Sequence, residues 1–371
     1  MKARLIVADS QRDANMLYAT RMFVPDPFIW IEARGKTYAV MSDLEIDRAR
    51  KQATVGRVLS YTHYQKQLKR EGIRQPRYSD IIKRIFRDFR IRNVEVAANF
   101  PLGLAKRLRG IHLSVKPDPF FPEREIKTPA EVAKLADALR LSEHGMQAAI
   151  RVLRMSRIDR RGYLSWRKRR LIAEDIQGVI NAAIAGLGGV AADTIVACGN
   201  QGCDPHERGH GPLRAHTTIV IDIFPRDVKT GYYGDITRTV VRGRASEAVK
   251  KLYAIVAMAQ VLGFKKIRAG VDGKSVHDSI HGLFVREGYK TGRRNGYMQG
   301  FFHGTGHGLG LDLHERPRVS IVSDVLRAGH VVTVEPGLYY RGIGAVRLED
   351  VAVVQKNGAR NLTRFPKVLE I

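Results

Sequence analysis

Two cysteines in 371 residues leave nothing from which to build a disulfide framework. Cys198 and Cys203 are followed by His206 and His210, but the spacing matches no standard zinc pattern. No stretch approaches the uninterrupted apolar length that spans a bilayer, and the N-terminus, MKARLIVADSQRD, has only a short apolar run before Asp9. A chain of this kind is expected to be unexported, cytoplasmic and free of the membrane. Internal repeats and low-complexity segments are also missing. Acidic residues are scarce beside basic ones, 37 against 63, for a formal net charge of +26. Such a surplus draws polyanions. Yet the basic residues are spread through both halves, with local clusters such as Arg167-Lys168-Arg169-Arg170, and no recognised nucleic-acid motif accompanies them. The charge therefore reads as a solvated surface, which argues against a dedicated nucleic-acid site.

What is present is globular: 44% hydrophobic and 27% charged residues, in a length sufficient for two domains with their own cores. Apolar strands recur at Leu5–Val7, Phe28–Ile31, Tyr38–Val40 and Val94–Val96, between helical stretches such as Asp43–Lys51 and Tyr78–Phe89. The segment Lys116-Pro-Asp-Pro-Phe-Phe-Pro122 interrupts regular structure, because proline has no N–H for a ladder and restricts its predecessor. We place a domain boundary there, giving an α/β domain over 1–122 and a second domain over 123–371. Thr128-Pro-Ala-Glu131 has the form of a helix start, with a hydroxyl cap, proline at the first helical position and a glutamate reaching back. Helices are expected to follow from Thr128 and through Ile176–Ala183 and Val276–Phe284, with strands at Thr217–Phe224, Tyr232–Val241, Val331–Tyr340 and Ala345–Val354.

Those strands carry carboxylates where burial without a positive partner is unfavourable. Asp222 follows Ile219-Val220-Ile221, Glu335 follows Val331–Val334, and Glu349 lies within Val346–Val351. Asp235 stands before Ile236-Thr237-Arg238-Thr239 on the strand expected to pair with the first. Two hairpins thus offer two carboxylates each, and the glycine-rich loop His303–His314 supplies imidazoles. Taken singly, a strand carboxylate is more often an ion-pair member than a ligand. Four together with His307 suit two hard or borderline divalent ions, whose charge they balance, and such a pair lowers the pKa of a shared water. Arg347, two residues before Glu349, is expected to face the same side and support the ligands, as is Thr237 beside Asp235. The interval of thirteen from Asp222 to Asp235 is odd, so a bulge or loop is expected to keep both carboxylates on one side.

Four stretches in order, Gly231-Tyr-Tyr-Gly-Asp-Ile-Thr-Arg-Thr239, His303–Glu315, Thr333-Val-Glu-Pro-Gly-Leu-Tyr339 and Val346-Arg-Leu-Glu-Asp350, resemble the signatures of the pita-bread metallopeptidases. That family includes aminopeptidase P, prolidase, creatinase and methionine aminopeptidase. The N-terminal part, with Asp13-Ala-Asn-Met-Leu-Tyr18 and Ser42-Asp-Leu-Glu45, is similar to the creatinase-type N-terminal domain. The resemblance implies an α+β architecture with a C-terminal pita-bread domain. It implies that Asp222 binds one metal, that His307 and Glu335 bind the other, and that Asp235 and Glu349 bridge them. Glu335 would also handle the proton of a bridging hydroxide. His303 and His314 would line the substrate site and steady the scissile carbonyl, and His206 would flank it.

The activity so implied is that of a manganese-dependent Xaa-Pro peptidase, with cobalt or zinc as alternatives for the metal. Proline-containing dipeptides or longer peptides would be its substrates, and a homodimer its assembly. Two rival readings are a creatinase-type C–N hydrolase, which does not require the full metal set, and a non-catalytic basic scaffold, whose examples typically lose ligand positions. Here all five are present. The sequence departs from the family in having Phe224 where glycine is usual, and in two extra residues between Asp222 and Asp235.

Overall fold

The computed structural model describes residues 2–371 and divides into two compact units, Met1–Arg124 and Glu125–Ile371. The first unit is built on six strands, β1 (Ala3–Ala8), β2 (Phe28–Ala33), β3 (Lys36–Met41), β4 (Arg57–Ser60), β5 (Asn93–Ala97) and β6 (His112–Lys116), ordered β4-β3-β2-β1-β5-β6. Strict alternation fills both faces of this sheet. Leu5, Ile29 and Ile31 pack with Ile81, Ile85 and Phe86 on one side. Ile6, Trp30 and Met41 pack with Met16 and Ile46 on the other. A sheet covered on both sides explains why these strands read as nearly continuous apolar runs.

The second unit opens on the helix Pro129–Met155. Thr128 accepts a hydrogen bond from the Glu131 amide, and the Glu131 carboxylate accepts from the Thr128 amide at 3.0 Å, closing the capping box that its sequence promises. Behind it lies the antiparallel sheet of Ile195–Cys198, Thr218–Ile223 and Ile236–Val241. A five-stranded sheet runs in the order Glu315–Val319, Gly306–Gly308, Val331–Val334, Asp350–Gln355 and Gly358–Asn361, and Gly337–Tyr340 pairs with Gly344–Arg347 in a separate hairpin. Helices Glu247–Lys266 and Gly273–Arg286 cover this region through Val256, Ala259, Ile280 and Phe284.

Three kinds of expectation from the sequence are corrected: the continuity of two strands, the start of a third, and a bulge. Val331–Tyr340 is two strands, broken at Glu335-Pro336, and Ala345–Val354 is two strands, broken at Leu348-Glu349. Pro336 cannot donate to a ladder, and the Glu349 amide donates sideways to the Thr237 carbonyl at 3.1 Å. The chain changes sheets at each acidic residue. Likewise the strand expected from Tyr232 begins only at Ile236. The third correction concerns the bulge. Asp222 pairs with Thr237 and Ile223 with Ile236, and the bridge between Arg226 and Tyr233 keeps the same register. In that ladder Asp235 falls opposite Phe224, so it shares a face with Asp222 without any bulge, because cross-strand pairs here always differ by an odd number.

Loss of the cap should be felt by the whole second unit. Thr128→Ala is expected to lower its stability by about 1 kcal/mol, read as a downward shift of the urea midpoint; an unchanged midpoint would show that the cap contributes nothing.

Candidate metal centre

The two strand breaks and the hairpin bring Asp222, Asp235, His307, Glu335 and Glu349 to the wall of one cavity of about 1010 Å³. Ligand atoms of Asp235, His307 and Glu349 all lie within 4.8 Å of one another. His307 Nδ1 sits 3.1 Å from the Gly308 carbonyl and must carry the proton there. Its Nε2 lone pair therefore points at carboxylate oxygens, 3.4 Å from Glu335 Oε1 and 3.8 Å from Asp235 Oδ2. Burial holds this imidazole neutral, its pKa pushed down to about 3. A lone pair facing carboxylates, with no proton to offer, is an arrangement that calls for a cation between them.

The carboxyl groups carry the same signature. Burial, then the charges of Asp222 and Glu335, hold Asp235 well above the usual carboxylate range; burial and the charge of Asp235 do the same to Glu349. Glu335 is raised by burial to about 7, against an opposing pull from Arg347. Asp222 Oδ1 is buried with no hydrogen-bond partner, although its other oxygen accepts from Arg347 Nη2 at 2.6 Å. An orphaned carboxylate oxygen, crowded acids and an unprotonated imidazole nitrogen form an oxygen-rich donor set that fits divalent ions.

Around these groups runs a second set of hydrogen bonds. Arg347 also donates to the Thr237 hydroxyl at 3.3 Å and the Tyr339 hydroxyl at 3.1 Å, and Thr237 in turn donates to Glu349 Oε2 at 2.8 Å. Arg347 thus ties Asp222 and, through Thr237, Glu349 into one frame across the strand break at Leu348-Glu349. The sequence did not single out Gln260. Its amide donates to the carbonyls of Val334 and Leu348, at 2.9 and 3.0 Å, the residues just before Glu335 and Glu349. One side chain fixes both strand breaks. The only signal for it was a glutamine on the apolar side of a helix. Arg238 was also missed. It is buried, donates to the Glu349 carbonyl at 2.6 Å and pairs with Asp350 at 2.8 Å. Its place in an alternating strand, Ile-Thr-Arg-Thr, looked like an ordinary outward charge. A buried ion pair between Lys127 and Glu315, at 2.8 Å, holds the far end of the histidine loop.

The three remaining histidines line the same cavity in different ways. His303 Nδ1 donates to the Gly304 carbonyl at 2.7 Å, and its Nε2 accepts from the Tyr339 hydroxyl at 2.8 Å, so both ring nitrogens are engaged within the protein. Burial pushes its pKa down to about 3. His314 is exposed and stands edge-on to His307, ring centres 4.4 Å apart; partial burial and Arg318 lower its pKa. His206 is exposed at the rim, on the loop whose Pro205 carbonyl accepts from Arg347 at 3.3 Å. Phe224, opposite Asp235, also lines the cavity.

Carboxylates gathered with one neutral imidazole in a cleft of this size define a metalloenzyme. The chain belongs to metallopeptidase family M24, whose pattern matches residues 133–356; enzymes of that family work with divalent metal ions. It is 31% identical over 285 residues to a Xaa-Pro dipeptidase of Pyrococcus horikoshii, covering 75% of each chain. Among solved structures it resembles a Xaa-Pro dipeptidase of Bacillus anthracis, with a TM-score of 0.83 at 23% identity over 100% of this chain and 95% of that one. An X-Pro aminopeptidase of Thermotoga maritima gives a TM-score of 0.82 at 23% identity, over 100% and 98%. The α+β pita-bread fold expected from the sequence is the fold of both.

Glu335 offers a direct reading of the electrostatics. In metal-free protein its folded-state pKa of about 7 exceeds the ordinary 4.5, so the folded state binds the extra proton and stability falls as pH rises through that window. Glu335→Gln removes this effect. Without metal, the variant is expected to melt level with the parent near about pH 5 and above it near about pH 8, by roughly 1–3 kcal/mol; with divalent metal the order should reverse. A variant that melts below the parent at both pH values without metal would sink this account.

Proposed function

We propose that this protein is a dinuclear metal-dependent Xaa-Pro peptidase, releasing the residue that precedes proline from dipeptides or short peptides. The observation that carries this reading is the His307 Nε2 lone pair facing Glu335 and Asp235 amid crowded carboxyls, in a chain related to a Xaa-Pro dipeptidase along three quarters of its length. Asp222, Asp235, His307, Glu335 and Glu349 would hold two divalent ions, with Asp235 and Glu349 between them. Manganese suits a set dominated by oxygen with a single imidazole, and cobalt or zinc are the alternatives. Such ions supply Lewis acidity and a water acidic enough to ionise near neutral pH.

The chain's own residues do the rest. Glu335, whose carboxylate borders the site beside His307, is placed to take a proton during attack on the carbonyl and return it to the departing imino nitrogen. His314 is the exposed imidazole able to donate toward the developing oxyanion or the scissile amide. His303, with both nitrogens engaged, serves as a fixed wall that keeps Tyr339 and hence Arg347 in place. His206 flanks the entrance. We read residues 1–122 as a creatinase-like domain apart from the chemistry and 123–371 as the catalytic one. A homodimer and a cytoplasmic setting complete the reading; the free thiols Cys198 and Cys203 are compatible with the latter.

Metal-stripped protein re-supplied with Mn²⁺ should cleave Gly-Pro or an Xaa-Pro-Xaa tripeptide, and Asp235→Ala should be inactive under the same conditions. Arg347→Lys keeps the charge but not the fork, and is expected to lose about 10–100-fold in kcat/KM. Failure to cleave either substrate with metal bound would overturn the proposal, and the pattern of cleavage separates dipeptidase from aminopeptidase.

A further inference from the structure

Residues 151–170 carry nine basic side chains against a single acid, Asp159, and every one of the nine is exposed. Arg151 and Arg154 end the helix Pro129–Met155, and the other seven lie on or in the turns of a small three-stranded sheet of Arg157–Ile158, Leu164–Trp166 and Arg169–Arg170. Arg157 pairs with Ser165, and Ser165 with Arg170. Directly paired residues share a face at a strand spacing of about 4.8 Å, so the two arginines flank the serine about 10 Å apart. Tyr163, two residues before Ser165, lies on that face and bridges to Arg214. The guanidiniums of Arg170 and Arg214 stand over the Tyr163 ring at 4.2 and 4.5 Å, and Arg214 also donates to the Tyr163 hydroxyl at 2.7 Å.

Two further observations mark this face as more than solvated charge. The nearby acids are few and already engaged: the Asp159 carboxylate accepts from the Arg161 and Tyr163 amides and lies in the field of Arg170 and Arg161, and Asp175 pairs with Arg169. Among the described residues no other ion pair within 4.0 Å reaches this segment. In addition, the two-residue tip of the hairpin is Arg167-Lys168, with φ of 51° and 63°. Such turns ordinarily use Asn-Gly, and holding two long side chains in the left-handed region costs about 1–2 kcal/mol per residue. The strain places two more cations at the outermost point of the sheet.

We propose that this face docks the phosphate backbone of double-stranded nucleic acid without reading its sequence. Eight of the nine cations are arginines, whose planar forks match phosphate oxygens, and those stacked on Tyr163 are pre-oriented. A duplex presents the densest regular row of such phosphates. The row formed by Arg157, Ser165, Arg170 and Tyr163 offers no aliphatic side chain to enter a bilayer. Its tyrosine, like Trp166 beneath Arg167 at 4.2 Å, is already covered by guanidinium, so it gives unpaired bases no bare ring on which to stack.

The test is fluorescence anisotropy of the full chain with a short DNA duplex across a salt series. Two charge-matched variants are compared: Arg157→Glu/Lys168→Glu/Arg170→Glu on the face, and Lys265→Glu/Lys266→Glu/Arg268→Glu on exposed residues elsewhere. The face variant is expected to bind at least about tenfold more weakly, with the slope of log Kd against log salt reduced by about 2–3, while the control stays close to the parent. Thermal melting checks that both remain folded; if the face variant does not, Arg157→Gln/Lys168→Gln/Arg170→Gln takes its place with the same expectation. Equal weakening by both variants would reduce the effect to net charge and overturn the proposal. So would tighter binding of single-stranded oligonucleotides than of duplex, or binding to phosphatidylserine vesicles with none to DNA.

Discussion

Four carboxyl groups share a cleft from which much of the water is excluded, with a neutral imidazole directed at two of them. Their mutual repulsion is the constraint around which the second unit is organised. Left alone, burial together with that repulsion drives protons onto Asp235, Glu335 and Glu349. The protein supplies one fixed cation, Arg347, and that cation is committed to Asp222. The remaining deficit of positive charge is what gives the cleft its affinity for divalent ions, which take the place of the protons that Glu335 and its neighbours hold without them.

Holding such groups in place requires the sheets to end where the chemistry begins. Glu335 and Glu349 occupy the junctions at which the chain leaves one sheet for another, so their backbone groups are available to partners outside a ladder. Gln260 and Arg238 take up that role. Both are buried polar side chains whose hydrogen bonds go to main-chain carbonyls beside the ligands, and each would be a liability in an ordinary core. The polar interior is therefore concentrated at the centre, and the aliphatic packing of Val256, Ile280 and Val346 surrounds it.

Much of this was legible in the sequence because it is local. The capping box at Thr128, the alternating strands of the first unit and the acids set in apolar runs each follow from residue type and spacing. The four acids of the candidate site could be singled out because a carboxylate amid apolar residues has few explanations once several occur together, and His307 because its glycine-rich loop carries several imidazoles. What could not be read depends on partners distant in the chain. Gln260 meets Val334 and Leu348 across 74 and 88 residues, and nothing in its own helix announces it. Strand continuity through Glu335 and Glu349 was overestimated because hydrophobicity persists across the breaks, whereas the hydrogen bonds that end the strands come from elsewhere. The basic run at 151–170 looked dispersed along the chain and becomes a face only once three short strands are paired.

The register of the hairpin that carries Asp222 and Asp235 has a consequence for how this chain can vary. Because the ladder continues unchanged from Ile223 to Arg226, the face each acid presents is set by the strand pairing and not by the number of residues in the tip beyond it. Residues added in the tip, singly or in pairs, leave both acids on their shared face, whereas a single insertion within the ladder, between Asp222 and Arg226 or between Tyr233 and Asp235, turns one of them to the opposite face unless a bulge absorbs it. The tip is thus a place where the hairpin can change length while the acids behind it stay still.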